Sequence, residues 1–278
     1  MRIDTIPDQQ AALKTPSFPN WLVIRAMRKV CWLVPQVFTK LYSMLISVTY
    51  PFASIGSNLS MHYTCYLRNT GLIQIGNSVT LHKDVWLHVQ FTPENTVPGT
   101  GKLDPSVEPA LILDDRCYIG RRSHIDARNH IHLERAVLIS ASVLIQDYAH
   151  EHSNLAVPIR DQGLTKGGRI RIGEGSWIGQ GATILCESGE LTLGRNCIVG
   201  ANAVVTRSAP PYSVLAGNPA RIVKHFDPAK GTWVLGSTRS VEPEATKPRQ
   251  ALLQPGAKPS EPQGTLNAEP TPHTLSRQ

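Results

Sequence analysis

The feature that most constrains this chain is a spacing of six residues that runs through its middle. In one register, aliphatic residues stand at Ile75, Leu81 and Leu87, at Leu113, Ile119 and Ile125, and at Leu133, Ile139 and Ile145. The register resumes at Ile172, Ile178 and Ile184, and again at Leu193, Val199 and Val205. Four positions after many of these anchors stands a small or modest residue, as at Val79, Cys117, Ser123, Ser176, Ala182, Cys197 and Ala203. Glycine often follows the anchor directly, as at Gly120, Gly173 and Gly179. Ordinary alternating strands do not keep returning the same residue classes to two positions in six. Each six-residue step instead makes one short strand and one turn, with the aliphatic side chain pointing into a prism-shaped interior and glycine permitting the corner. One coil buries too little to stand alone. Stacked coils share an aliphatic core and pair their backbones as parallel ladders. The spacing predicts an all-β array over residues 53–226.

The flanks read differently. Residues 1–52 hold an apolar stretch, Trp21 to Tyr50, interspersed with Arg25, Arg28, Lys29 and Lys40 and containing Pro35, which is expected to kink or end a helix. Charge interrupts its apolar runs, so it is not a clean membrane span, and no small-residue cleavage site follows a short apolar core. Two readings stay open: a helix packed on the main domain, or a basic amphipathic anchor at a membrane surface. Residues 227–278 are rich in Pro, Ser, Thr, Gln and Glu with few large apolar side chains, and a disordered tail is expected there.

The five cysteines are odd in number and lack a C-x-x-C pair, which suits reduced thiols in a cytoplasmic protein. Cys117 and Cys197 fall where the repeat wants a small buried residue, so they are read as packing groups and not nucleophiles. The net charge of +7 suits an anionic partner, whether a membrane surface, nucleic acid or a phosphorylated ligand.

The repeat stops after Ile145, and a loop from Asp147 to about Gly168 erupts from it. A loop breaking a regular array calls for an explanation other than core packing. It holds Asp147-Tyr148-Ala149-His150, then His152, then Pro158-Ile159-Arg160-Asp161-Gln162-Gly163, and Trp177-Ile178-Gly179 follows in the next coil. The chain ends its repeats with Val204-Val205-Thr206-Arg207 and Gly217-Asn218-Pro219-Ala220-Arg221. In these segments and in its repeats, the chain resembles the hexapeptide-repeat O-acetyltransferases that modify sugars and surface polysaccharides. These are left-handed parallel β-helices; their handedness runs against the usual right-handed crossover and comes here from the resemblance alone.

The resemblance implies transfer of an acetyl group from acetyl-CoA to a hydroxyl of a sugar or polysaccharide precursor, in a homotrimer whose grooves form between subunits. It implies His150, which ends the D-x-x-H segment, as the general base. Asp147 is either a carboxylate that orients the imidazole or a cap for the loop turn. An imidazole titrates near neutrality and can accept the hydroxyl proton as the new bond forms. Matching position to position, the resemblance puts coenzyme A against Gln180, Ala201, Thr206, Arg207, Arg221 and Lys224, with Trp177 at the pantetheine end. Arginine and lysine at a groove edge can grip its phosphates. Arg207 stands where the family more often has lysine, and Cys186-Glu187-Ser188-Gly189-Glu190 lengthens a turn near the groove mouth. Neither a metal nor a nucleic-acid partner is expected. Two alternatives are a zinc-dependent, carbonic-anhydrase-like hydrolase on the same scaffold and a non-catalytic scaffold protein. A second insertion, Phe91 to Glu108, has no role legible in the sequence.

Overall fold

The computed structural model describes residues 21–236, other than 101 and 105 and the side chains of Leu22 and Trp32. Residues 1–20 and the part of the expected tail from 237 onward lie outside the described residues.

Each turn of the coil contributes three short strands. The first coil is β1 (Ser54–Ile55), β2 (Ser60–Met61) and β3 (Tyr66–Arg68), and the second is β4 (Ile73–Ile75), β5 (Thr80–Leu81) and β6 (Trp86–Val89). After the first insertion come β7 (Leu111–Leu113), β8 (Tyr118–Ile119) and β9 (His124–Ala127), then β10 (His130–Leu133), β11 (Leu138–Ile139) and β12 (Leu144–Gln146). After the second come β13 (Arg169–Ile172), β14 (Trp177–Ile178) and β15 (Thr183–Leu185), then β16 (Glu190–Leu193), β17 (Ile198–Val199) and β18 (Val204–Val205). Strands three apart in sequence pair in parallel and in register, so that Ile125 lies between Leu87 and Ile145. Three sheets thus form the faces of a left-handed β-helix. All fifteen aliphatic anchors are at most 1% exposed.

The corners refine the reading of glycine. The left-handed backbone conformation falls three residues after an anchor, where Arg116, Arg122, Ala136 and Ser142 have φ of 56–60°. The glycine directly after an anchor serves a different need. A Cβ on Gly173 would come within 2.5 Å of Arg195 N, and one on Gly179 within 2.7 Å of Ala201 N. These glycines let successive coils stack closely, while other residue types tolerate the left-handed turn.

Both ends of the array differ from expectation. Beyond the last coil, β19 (Ser213–Gly217) pairs in parallel with β17, then turns antiparallel into β20 (Ala220–Asp227) and β21 (Thr232–Leu235). The ordered domain therefore runs past the boundary placed at 226. Phe226 packs edge-on against Trp233 at 5.6 Å and lies 6.2 Å from Tyr212, an aromatic closure that carries no period of six. At the other end, helix α1 (Trp21–Thr49) continues through Pro35 and does not end there. It forgoes one backbone bond at that point.

Helix α1 touches the β-helix near its C-terminal end, where Ile46 and Ser43 are buried. Ser43 Oγ accepts the Met61 N–H at 2.8 Å and donates to the Thr39 carbonyl at 2.7 Å. The packed-helix reading thus holds for this end, while Val30, Val34, Leu41, Leu45 and Val48 are 57–80% exposed.

Candidate active site

The two insertions leave the same face of the prism. The first follows β6 and the second follows β12, and both strands belong to one sheet with β9 between them. Gln90 Nε2 donates to Tyr148 Oη at 2.8 Å, which ties the root of one insertion to the root of the other. The first insertion is organised by a capping box in which Thr92 and Asn95 exchange hydrogen bonds around a short 3-10 turn, Pro93–Asn95. Gln162 staples the second: its Nε2 donates to the Asn154 and Val157 carbonyls at 2.8 and 2.7 Å, and its Oε1 accepts the Asn154 N–H. This accounts for the glutamine of the P-I-x-x-Q-G segment.

Asp147 opens the second insertion and is fully buried. Its Oδ1 accepts the Arg128 N–H at 2.7 Å, and its Oδ2 accepts those of Asn129 and His130 at 2.9 and 2.7 Å. Burial pushes its carboxyl up, to about 6, against the pull of these donors. Both oxygens thus accept backbone N–H groups of the neighbouring turn.

His150 is exposed, and its backbone forms an isolated bridge with Leu164 across the loop. Beside it, His152 Nδ1 lies 3.2 Å from the His150 carbonyl, within hydrogen-bonding distance. Asn129 is exposed and its side-chain amide donates to the Gly167 carbonyl at 3.3 Å.

Beneath the joined insertions, Asp126 gathers side chains that stand far apart in the sequence. Asp126 is 7% exposed. Its Oδ2 accepts the Tyr148 hydroxyl at 2.7 Å, and His124 Nε2 stands 3.8 Å from the same oxygen. His88 Nδ1 is 3.1 Å from Oδ1, within ion-pair reach but not aligned as a hydrogen bond. Asp126 Oδ1, His124 Nε2 and Arg128 Nε are consequently buried without a hydrogen-bonding partner. Burial lowers the His124 imidazole and raises the Tyr148 phenol, the latter with help from the Asp126 carboxylate. Trp86 stacks on His124 with ring centroids 4.8 Å apart and closes the side of the cluster. The register of six contains this arrangement. His88, Asp126 and Gln146 each follow an anchor of the same sheet and pair as neighbours in one outward row.

The residues matched to coenzyme A fall on two adjoining features. Trp177, Ile198, Val214 and Lys224 pair successively across β14, β17, β19 and β20, so Trp177 and Lys224 stand in one row of neighbours. Gln180 and Ala201 occupy the same corner one coil apart, where the Gln180 carbonyl accepts the Asn202 N–H. Thr206 and Arg207 follow directly on β18, which lies beside β20. Trp177 is 47% exposed, and its indole N–H is held by Ser140 Oγ at 2.9 Å. Arg221 donates to the Ala220 carbonyl, and among the described residues Arg207, Arg221 and Lys224 form no ion pair. Arg221 is thus an exposed cation and not half of a surface salt bridge. Among the described residues, no three His, Cys, Asp or Glu side chains are placed to hold a metal ion.

No family model matches the chain. A probable acetyltransferase of Mycobacterium tuberculosis is 30% identical over 164 residues, 56% of this chain and 50% of that protein. A protein of Escherichia coli, provisionally named a lipopolysaccharide biosynthesis O-acetyl transferase, is 27% identical over 180 residues, 62% of this chain and 82% of that one. The chain therefore spans about half the length of the mycobacterial relative it matches. Among solved structures, AntD, an N-acyltransferase from Bacillus cereus in complex with dTDP and 3-hydroxybutyryl-CoA, aligns with a TM-score of 0.52 at 18% identity. The alignment covers 66% of this chain and 87% of that one, and the likeness is one of fold. The repeat register and the coiled fold are those of the hexapeptide-repeat left-handed β-helix, and the curated relatives that the chain resembles carry acetyltransferase names.

Proposed function

We propose that this chain transfers an acetyl group from acetyl-CoA to a hydroxyl of a sugar or polysaccharide precursor, with His150 as general base. The observation that carries this reading is the incomplete polar cluster beneath the two insertions. A buried polar atom without a partner costs about 1–3 kcal/mol, and a sugar offers hydroxyls that donate to Asp126 Oδ1 and accept from or donate to His124 Nε2. The exposed Trp86 and the His124 ring stacked on it add an apolar flank of the kind a pyranose face covers. Phosphates of the donor suit the unpaired Arg207, Arg221 and Lys224, and the row from Trp177 to Lys224 gives its pantetheine arm an extended bed.

In the reaction, the acceptor oxygen attacks the thioester carbonyl while its proton passes to the His150 imidazole. The carbon–sulfur bond then breaks, and the proton leaves with the thiol, giving an ester and free coenzyme A. The exposure of His150 in the single chain supports a groove closed by a neighbouring subunit, in a trimer. Leu155, 98% exposed at the second insertion, is suited to lie against that neighbour.

The experiment is thiol release from acetyl-CoA across nucleotide sugars, oligosaccharides and lipid-linked sugars, followed by substitution. His150→Ala is expected to lower turnover by about 10²–10⁴-fold with coenzyme A binding retained. The hydrogen-bonded orientation of His152 favours a second reading in which that imidazole is the base. A collapse of turnover in His152→Ala with His150→Ala unaffected would transfer the role to it. Release of thiol without ester formation on any acceptor would reject the transferase reading.

A further inference from the structure

Helix α1 leaves most of its apolar side chains uncovered. Val30, Val34, Val37, Leu41, Leu45 and Val48 follow the i, i+4, i+7, i+11 spacing of one face and are 48–80% exposed. Arg25, Lys29, Gln36 and Lys40 follow the same spacing on the opposite side and are exposed as well, while contact with the β-helix is confined to the last turns, at Tyr42, Ser43 and Ile46. An apolar groove of about 430 Å³, lined by Val23, Ala26, Met27, Val30 and Cys31, lies along the free side.

The charges point to what covers that side. The helix carries Arg25, Arg28, Lys29 and Lys40 and no acidic residue, and its first turn has no carboxylate. Three of the four cations crowd the N-terminal half, and no acidic side chain on the helix pairs with them. Such an arrangement gains from an external anionic surface. Length and composition alone would also let Val23–Thr49 cross a membrane. The cations, however, recur along one side down to Lys40, and the last turns are held against the first coil. That geometry suits a helix lying in the plane of an interface, apolar side down, with the basic side chains reaching the headgroups and the folded domain above.

We infer that α1 docks the protein on an anionic lipid bilayer by inserting its Val30–Val48 face among the acyl chains, with Arg25, Arg28, Lys29 and Lys40 at the headgroups. The inference does not rest on the proposed reaction. The full-length chain is mixed with vesicles of equal parts phosphatidylcholine and phosphatidylglycerol, or of phosphatidylcholine alone, and floated on a density gradient. The chain is expected to float with the anionic vesicles, less with the neutral ones, and to be released as salt rises. Lys29→Gln is expected to weaken partitioning about 5-fold, from about 1 kcal/mol per cation. The double change Val34→Asp with Leu41→Asp is expected to abolish flotation while leaving the thermal midpoint and far-ultraviolet spectrum unchanged, since both side chains are exposed. Failure to float with anionic vesicles, or flotation that the aspartates do not alter, overturns the inference. Binding that resists salt and alkaline extraction overturns it in favour of a spanning helix. Self-association abolished by the aspartates, without vesicle binding, assigns the face to a second copy of the chain.

Discussion

The β-helix and helix α1 are both periodic and aliphatic, yet they treat their apolar side chains in opposite ways. In the coils, Ile119, Ile125 and Ile139 are fully buried, because three faces close around a common interior. In the helix, Leu41, Leu45 and Val48 are 58–80% exposed, because contact with the domain is made on another side, at Tyr42, Ser43 and Ile46. Periodicity announces that a face will be covered. It does not announce whether the cover is the chain itself or something else.

The largest expected effect comes from the coil side of this comparison. Ile139→Ala should cost about 2–5 kcal/mol by urea denaturation, since the rigid rod cannot collapse into the cavity. The cysteines sharpen the same contrast. Burial pushes the thiol of Cys117 up to about 12 and that of Cys65 to about 11, while Cys31 on the helix is exposed. A thiol raised on folding stays protonated when the unfolded chain has lost its proton. Stability is therefore intact below about pH 8.5 and declines above it towards the folded values. Urea midpoints between neutral pH and about pH 10 should fall along this course, and Cys117→Ala should flatten the decline. At neutral pH, a maleimide should label Cys31 in the native protein and spare Cys117 and Cys197.

A smaller effect is expected at the joint between the insertions. Tyr148→Phe removes both the donor to Asp126 and the acceptor for Gln90, and should cost about 0.5–1.5 kcal/mol for each bond lost. Its effect on acceptor KM should exceed that on coenzyme A binding. The smallest effect belongs to Leu41→Ala, which should change stability by no more than about 0.5 kcal/mol in the absence of lipid. A loss as large as that of Ile139→Ala would show that the helix face is covered within the folded chain, and would break the comparison.

By itself, the sequence determined the coil. Anchors six apart must point the same way once each step is a strand and a turn, and every anchor named from the sequence is buried. It also located the second insertion, because a lapse in a strict register is visible in one dimension. It did not show the aromatic closure formed by Phe226 and Trp233, since a single antiparallel hairpin leaves no repeating pattern. Only the tertiary structure decided that residues as far apart as Gln90 and Tyr148 meet, because stacking brings every third strand of a coil to one face. The same stacking set Asp126 between His88 and Tyr148, and committed Asp147 to three backbone N–H groups. Which side of α1 faces the domain was decided at Ser43. A helix wheel gives two faces, and only contact with the first coil chose between them.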